Sequence, residues 1–470
     1  TPTDSSAASD VYKRQVLNRV IEKAFRGSAP AQINVPRDFW TQVIDIELPP
    51  IVRFERQGGG KDAVDRAAKL LSEAKFPVIL SGAGVVIGDA IDDCKKLAEK
   101  LDAPVCNGYQ HNDSFPGSHP LAVGPLGYNG SKAAMELISK ADVVLALGTR
   151  LNPFSTLPGY GIDYWPKDAT IIQVDMNPDR IGLTKKVTVG ICGDAKMVAQ
   201  QILEKLSSNA GDNGREDRKN LIHQTKSAWL QTLTSLDHED DDPGTVWNKE
   251  ARERDKDRMS PRQAWRAIQA GMPEDVIISS DIGNNCAIGN AYPTFEKPRK
   301  YLAPGLFGPC GYGFPSILGA KIGCPDTPVI GFAGDGAFGI SMNEMSSCAR
   351  EEWPAITMVI FRNYQWGAEK RNSILWFDDN FVGTELDPEL SYAKVANACG
   401  LKGVIANTME ETTKAIKQSC EDQKKGITTF IEIILNQELG EPFRRDAMKK
   451  PVKVAGISKS DMKPQKSLVS

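Results

Sequence analysis

The sequence lacks any uninterrupted apolar run of the roughly 18 residues that a helix needs to cross a bilayer. Its amino terminus also lacks the charged-then-apolar pattern of a secretion signal. The nine cysteines are scattered, with no Cys-x-x-Cys pair, which favours reduced thiols in the core. We therefore expect a soluble, cytoplasmic protein.

Histidine is scarce, and no charge dominates. None of the four histidines lies in a zinc-ligand spacing or beside a Ser or Cys nucleophile, which argues against a zinc hydrolase and a catalytic triad. The 57 basic and 60 acidic residues leave a formal net charge of −3, so the sequence offers no broad basic field for nucleic acid. With about 150 residues per domain as a guide, 470 residues suggest three domains.

Short apolar runs alternate with helical patterns in two long stretches of the chain. This alternation predicts an α/β fold with two doubly wound parallel-sheet domains. The runs expected to form strands are 77–80, 103–106, 143–147 and 171–175 in the first domain, and 276–280, 329–333, 356–361 and 428–434 in the second.

Two polar groups follow two of these predicted strands in the second domain. Gly334-Asp335-Gly336 comes directly after the run 329–333, and Asn363 follows the run 356–361. Loops after parallel strands emerge at the same sheet edge, so Asp335 and Asn363 can meet. A carboxylate and an amide oxygen suit a magnesium ion that also binds phosphate oxygens. An isolated Gly-Asp-Gly is more often an ordinary turn, but the strand placement and the paired Asn favour a metal site.

This arrangement resembles the diphosphate-binding motif of thiamine diphosphate enzymes. The resemblance implies that Asp335, Asn363 and the main-chain carbonyl of Gln365 hold Mg²⁺. It also places the main chain of Gly334, Gly336 and Ala337 at the cofactor diphosphate. The sequence departs from the family at one point, because it has Arg362-Asn363 where relatives often have Asn-Asn.

Two further segments are similar to cofactor-binding parts of the same family. Asp281-Ile282-Gly283-Asn284-Asn285 directly follows a predicted strand, and Gly308-Pro309-Cys310-Gly311 precedes a helical pattern. The resemblance implies that Gly283, Asn284 and Asn285 touch the diphosphate, with a plain turn as the alternative. It places Cys310 and Gly311 under the cofactor. A nucleophilic role for Cys310 is disfavoured because nothing near it in sequence would lower its pKa.

The segments 361–372, 376–381 and 440–451 resemble the sulfoacetaldehyde acetyltransferases, a family within the thiamine diphosphate enzymes. The resemblance covers residues 16–457. It implies conversion of 2-sulfoacetaldehyde and phosphate to acetyl phosphate and sulfite, in the breakdown of taurine and other sulfonates. It also implies a homodimer or homotetramer for the intact enzyme, without nucleic-acid or membrane partners.

Both implied substrates are anions, so the site should present cations or N–H donors to sulfonate and phosphate. The candidates cluster in the segments that carry the family resemblance. The alternative for about half of them is a solvated surface position or a salt bridge. The candidate anion-binding residues are Arg362, Lys370, Arg371, Arg444 and Arg445.

The resemblance also suggests how the chain divides. We interpret residues 1–15 as a non-native leader and 16–50 as the end of a pyrimidine-binding domain, with a helix over 16–25 and a strand over 31–35. A central domain over 51–206, in some relatives a nucleotide carrier, a helical linker over 207–258, a diphosphate-binding domain over 259–440 and a tail over 441–470 would follow.

The glutamate that activates the cofactor pyrimidine in this family belongs upstream of residue 16. We therefore expect this chain alone to bind the cofactor weakly and to be inactive. Two other readings remain open. One is a carboligase or decarboxylase of 2-oxo acids related to acetolactate synthase, and the other is a non-catalytic remnant with a structural or binding role.

Overall fold

The computed structural model describes residues 16–25, 27, 29–41, 43, 55–236, 255–305, 307–350, 352–376 and 382–438. The chain separates into two compact units, residues 1–57 and residues 58–470.

The first unit contains little regular structure among its described residues. Residues 16–25 are helical, as expected, and Arg37–Thr41 forms a 3-10 helix. The strand predicted over 31–35 is wrong, because these residues have no regular secondary structure and their side chains are exposed. A strand requires a hydrogen-bonded neighbour, and a favourable local sequence does not supply one.

The second unit begins with a six-stranded parallel sheet in the order β3-β2-β1-β4-β5-β6. Its centre is formed by apolar strands that are buried on both faces, as is typical of a sheet covered by helices on each side. The strands are β1 Pro77–Ser81, β2 Val105–Asn107, β3 Ala122–Pro125, β4 Val143–Leu147, β5 Thr170–Asp175 and β6 Val189–Cys192. The accompanying helices are Lys61–Glu73, Ala83–Ile87, Ile91–Leu101, Lys132–Ile138, Ala195–Lys205 and Arg215–Leu236.

The loops after β1 and β4 pack against each other where the strand order reverses. The N–H of Gly84 donates to the carbonyl of Gly148 at 2.8 Å. A Cβ atom on Gly84 would lie 2.6 Å from the Cα of Gly148. Gly84 is therefore required for the contact between these two loops.

A second six-stranded parallel sheet has the order β11-β12-β10-β9-β7-β8. Its strands are β7 Ile277–Ser280, β8 Tyr301–Leu302, β9 Val329–Gly334, β10 Thr357–Arg362, β11 Lys402–Ala406 and β12 Thr429–Ile434. The helices around it are Pro261–Gly271, Asn284–Ile288, Gly313–Gly323, Asp335–Ser341, Met345–Cys348, Gly367–Trp376, Tyr392–Ala398 and Met409–Gln423. The predicted α/β fold with two doubly wound parallel sheets is confirmed.

The prediction omitted β3, β6, β8 and β11. These strands lie at or next to the edges of their sheets. An edge strand has a neighbouring strand on one side only, and helices cover less of its two faces. It therefore needs less apolar sequence than a central strand. Their sequences therefore lack the continuous apolar run by which we recognised the central strands.

The helix Pro261–Gly271 begins at a capping box. The Ser260 side chain accepts a hydrogen bond from the N–H of Gln263 at 3.2 Å, and the Gln263 side chain accepts one from the N–H of Ser260 at 2.9 Å. Ser260→Ala removes one half of this box. We expect a loss of about 1 kcal/mol in the free energy of unfolding, measured by urea titration. Ser208→Ala, at an exposed serine, is the control, and an equal effect of both changes would contradict the role of the cap.

Across the part of the chain that the structure describes, no helix combines the length and the apolar character that a membrane crossing requires.

Candidate active site

The site predicted from the sequence lies at the carboxyl edge of the second sheet. Strands β9 and β10 are parallel, and Phe361 pairs with Gly334. This register brings the residues that follow each strand to the same edge. The carboxylate Oδ2 of Asp335 accepts a hydrogen bond from the N–H of Tyr364 at 2.7 Å, directly beyond Asn363. The structure therefore brings Asp335 to the turn that carries Asn363.

The Asp335 carboxylate is buried, with 1% of its surface exposed. Burial raises its pKa to about 6, although the Arg362 guanidinium and the N–H groups of Tyr364 and Gly336 oppose the rise. A buried carboxylate is costly unless it is paired and hydrogen-bonded. A divalent cation would stabilise its ionised form further.

Asn363 and Gln365 complete the predicted metal-binding turn. Asn363 is buried. Gln365 forms an antiparallel bridge with Glu385, and the bonds of this bridge run from Trp366 N–H to the Thr384 carbonyl and from Leu386 N–H to the Tyr364 carbonyl. The bridge does not use the carbonyl of Gln365 itself. One carboxylate, one amide and one carbonyl form a donor set of hard oxygens, which suits Mg²⁺.

The described residues hold no cluster of three or more His, Cys, Asp or Glu side chains that could bind a metal by themselves. A cation at this edge would therefore need oxygens from another molecule to complete its shell. Magnesium commonly binds in this way, through one or two protein carboxylates and a phosphate group.

The loop after β7 offers polar groups without protein partners. Both side-chain polar atoms of Asn284 and the Oδ1 atom of Asn285 are buried without a hydrogen-bond partner. Gly283 has φ 128°, and the position of a Cβ atom on Gly283 or Gly334 is open, with nothing within 4 Å. Open space beside two glycines and unsatisfied amides fits a bound diphosphate.

Asp281 organises this edge, a role that its sequence pattern does not reveal. Its Oδ1 accepts bonds from the N–H groups of Ile282 at 2.8 Å and Gly311 at 3.1 Å, and its Oδ2 accepts one from Gly313 at 2.8 Å. Asp281 thus connects the loop after β7 to the glycine loop around residue 311. Burial raises its pKa, while these N–H donors lower it. Its position directly after a predicted strand was the sequence feature that could have indicated this role.

Replacing Asp281 with alanine would leave three N–H groups at this edge without their acceptor. We expect a loss of about 1–3 kcal/mol in the free energy of unfolding, measured by urea titration. Asp275→Ala is the matched control, since Asp275 is exposed and forms ion pairs with Lys297 and Lys300 at the surface. Equal urea midpoints for the two variants would show that Asp281 does not hold the loop.

The loop before the helix Gly313–Gly323 carries Cys310 and Gly311. Cys310 is exposed, and the pKa of its thiol is raised by partial burial and by Asp281 and Glu369. A raised pKa disfavours the thiolate, so this position gives Cys310 no support as a nucleophile. Gly311 has φ 84°. Gly336 lies against the Trp366 side chain, and a Cβ atom on Gly336 would lie 2.9 Å from the indole nitrogen. Ala337 is buried.

The structure disagrees with the anion-binding hypothesis for Arg362. Its side chain is fully buried and donates to Asp335 Oδ2 at 3.0 Å and to the carbonyls of Asp387 and Leu390. Its Nε also lies 3.6 Å from a carboxylate oxygen of Glu432. Two carboxylates and two carbonyls occupy this guanidinium, so it is not presented to an anionic substrate.

The other four predicted cations have different positions. The Lys370 ammonium forms an ion pair with Glu385, the alternative that the sequence analysis kept open. Arg371 is buried on the helix Gly367–Trp376 and stays a candidate. Arg444 and Arg445 lie outside the described residues.

Two known protein families match separate parts of the chain. Residues 64–202 match "Thiamine pyrophosphate enzyme, central domain". Residues 281–433 match "Thiamine pyrophosphate enzyme, C-terminal TPP binding domain". The second match contains every described residue of the site.

Individual proteins resemble the chain over most of its length. The "Probable sulfoacetaldehyde acetyltransferase" of Rhizobium meliloti (strain 1021) is 78% identical over 97% of this chain and 77% of its own length. The "Sulfoacetaldehyde acetyltransferase" of Roseovarius nubinhibens is 74% identical over 96% of this chain and 75% of its own. Among solved structures, benzoylformate decarboxylase from Polynucleobacter necessarius has a TM-score of 0.64 at 19% identity over 86% of this chain and 70% of its own, a likeness of fold alone. The chain therefore belongs to the sulfoacetaldehyde acetyltransferase family of thiamine pyrophosphate enzymes.

Proposed function

We propose that this protein acts on 2-sulfoacetaldehyde and phosphate with thiamine diphosphate and Mg²⁺, and that the products are acetyl phosphate and sulfite. The observation that carries the proposal is the 78% identity over 97% of the chain with a protein of this name. The buried carboxylate of Asp335 beside the Asn363 turn supports cofactor binding at the sheet edge.

Each part of the site has a distinct task in this proposal. Asp335, Asn363 and the Gln365 carbonyl would hold Mg²⁺, and the amides of Asn284 and Asn285 would reach the diphosphate. Bound thiamine diphosphate supplies a nucleophilic carbon and an electron sink for the cleavage. Asp281 keeps the loops around Gly283 and Gly311 in register, so that the protein groups are in place before the cofactor arrives.

The anionic substrates require cations at the same edge. Arg371 is the described candidate, and Arg444 and Arg445 complete the proposed set. A guanidinium binds a phosphate or sulfonate through two parallel N–H bonds, which an ammonium cannot do. Lys370 is the weakest candidate, because Glu385 already neutralises it.

A product assay tests the proposed reaction. The full chain is incubated with thiamine diphosphate, Mg²⁺, phosphate and 2-sulfoacetaldehyde, and sulfite and acetyl phosphate are quantified. Any turnover is expected to give sulfite and acetyl phosphate in equal amounts, and no carbon dioxide from pyruvate under the same conditions. The identity of the products, and not the rate at which they form, decides the outcome. Carbon dioxide from pyruvate without sulfite from 2-sulfoacetaldehyde would identify a 2-oxo acid decarboxylase or carboligase instead.

The proposal includes a cytoplasmic location and a homodimer or homotetramer for the intact enzyme. In relatives, as the family resemblance implies, each site is formed by two subunits. Sedimentation velocity at several protein concentrations tests the assembly, and a monomer at every concentration would remove this part of the proposal.

A further inference from the structure

Arg362 occupies the position at which this sequence departs from the family motif. Its Nη1 and Nη2 atoms donate hydrogen bonds, and its Nε atom is buried without a hydrogen-bond partner. The guanidinium lies 4.2 Å from the ring centre of Tyr364 and 5.6 Å from that of Tyr392. Its Nη1 lies 3.0 Å from a carboxylate oxygen of Asp335, and its Nε lies 3.6 Å from one of Glu432. Planar faces against aromatic rings and N–H groups against carboxylates are the contacts that arginine makes and lysine cannot reproduce.

The hydrogen bonds of Asp335 leave one position open for a cation. An ionised carboxylate offers about four lone-pair sites, two on each oxygen. Oδ2 accepts from Arg362 Nη1 at 3.0 Å and from the Tyr364 N–H at 2.7 Å, which uses both of its sites. Oδ1 accepts from the Gly336 N–H at 2.9 Å, which leaves its second site available.

From this geometry we propose that Arg362 is a positioning residue for the metal site, holding Asp335 so that a divalent cation binds Oδ1 alone. The proposal rests on the proposed function, since it assumes that Mg²⁺ and thiamine diphosphate bind at this edge. It replaces the anion-binding role with an indirect one. Arg362 acts on the cation through Asp335 and does not touch the substrate.

Arg362 also connects the metal site to the segment 384–392. The carbonyls of Asp387 and Leu390 accept from its Nη2, and the Tyr392 hydroxyl donates to the main-chain carbonyl of Asp335 at 2.8 Å. Glu432 accepts from Ser391 Oγ at 2.6 Å and from the Ala393 N–H at 3.0 Å. The carboxylate that would hold the cation is therefore fixed from both its side chain and its main chain by one hydrogen-bonded network.

Substitution of Arg362 by lysine tests the proposal in the full chain. Lysine keeps the charge but cannot reach Asp335, Glu432 and the two carbonyls together. We expect Mg²⁺-dependent binding of thiamine diphosphate to weaken by about 10–100-fold, the usual effect of losing a group that orients a metal ligand. Isothermal titration calorimetry measures the affinity. Arg350→Lys is the matched control, because Arg350 is exposed and pairs with Glu352 in the same domain.

A spectroscopic readout separates positioning from a merely structural role. Mn²⁺ replaces Mg²⁺ in the presence of thiamine diphosphate, and the electron paramagnetic resonance spectrum of the bound ion is compared between the unaltered chain and Arg362→Lys. A positioning role predicts a changed spectrum together with the weaker affinity. A lower melting temperature with an unchanged spectrum and affinity would overturn the proposal.

The unaltered chain provides a test that does not depend on the folding of a variant. In a crystal structure with Mn²⁺ and thiamine diphosphate, we expect Asp335 to bind the ion through Oδ1 only, with the bond from Arg362 to Oδ2 retained. An ion on Oδ2, or on both oxygens, would overturn the proposal. Failure of the unaltered chain to bind Mn²⁺ and thiamine diphosphate at all would instead count against the proposed cofactor binding, and this inference would end with it.

Discussion

Replacement of Asp335 by asparagine is expected to reduce Mg²⁺-dependent binding of thiamine diphosphate by more than about 100-fold, or about 2.8 kcal/mol. Asparagine keeps the size of the side chain and one oxygen that can accept the N–H of Tyr364, so the turn should persist. It removes the negative charge that would attract the cation. Mg²⁺ prefers charged carboxylate oxygens, and the described residues hold no cluster of three or more His, Cys, Asp or Glu side chains that could bind it instead. Calorimetry with and without Mg²⁺ measures the effect.

Asp326→Asn is the matched control for this prediction. Asp326 is exposed in the turn before β9, so the same chemical change occurs in the same domain without touching the site. Its affinity should equal that of the unaltered chain. If Asp335→Asn, with an unchanged circular dichroism spectrum, still bound the cofactor within about threefold of the control, Asp335 would not be a metal ligand.

Replacement of Trp265 by alanine is expected to have the largest effect on stability. Trp265 is 1% exposed, and its ring lies 4.8 Å from Phe332 and 5.4 Å from Phe361, centre to centre. These phenylalanines belong to β9 and β10, the strands that carry Asp335 and Asn363. We expect a loss of about 3–5 kcal/mol in the free energy of unfolding, because the cavity removes the contacts with both phenylalanine rings. Urea titration followed by circular dichroism measures it.

The same substitution should also weaken cofactor binding. The indole N–H of Trp265 donates to the main-chain carbonyl of Asn285 at 2.6 Å, and Asn285 lies in the loop proposed to meet the diphosphate. Trp353→Ala removes an equally large side chain that is 37% exposed and serves as the control. A urea midpoint for Trp265→Ala no lower than that of Trp353→Ala would contradict the central role of Trp265 in this core.

The fold could be predicted to the extent that the strands are buried on both faces. Such strands, for example β4 and β10, require continuous apolar sequence, and this requirement is visible without coordinates. The prediction failed for residues 31–35, whose composition suits a strand although no strand forms. Pairing with a neighbour is a property of the assembled sheet, and local sequence cannot report it.

For the site, the sequence located the positions better than it assigned their tasks. Asp335, Asn363 and the loop at Gly283 stand out because polar residues directly after buried strands are drawn to one edge of a parallel sheet. Metal and cofactor binding by these residues stays a prediction. The sequence suggests Arg362 as a substrate-binding cation because it lies in a segment that carries the family resemblance. Its partners Glu432 and Leu390 are distant in sequence, so this hydrogen-bonded network was not visible in the sequence.

The sequence by itself determined the two parallel-sheet domains, the family and the strand ends at which a cofactor site would form. These features depend on patterns within short segments, namely apolar runs, glycines after strands and the residues that follow them. Only the tertiary structure decided what each charged group does. Asp281 holds two loops together and Arg362 faces two carboxylates because separate strands and loops converge there. The energy of a buried charge depends on the partners that folding brings to it.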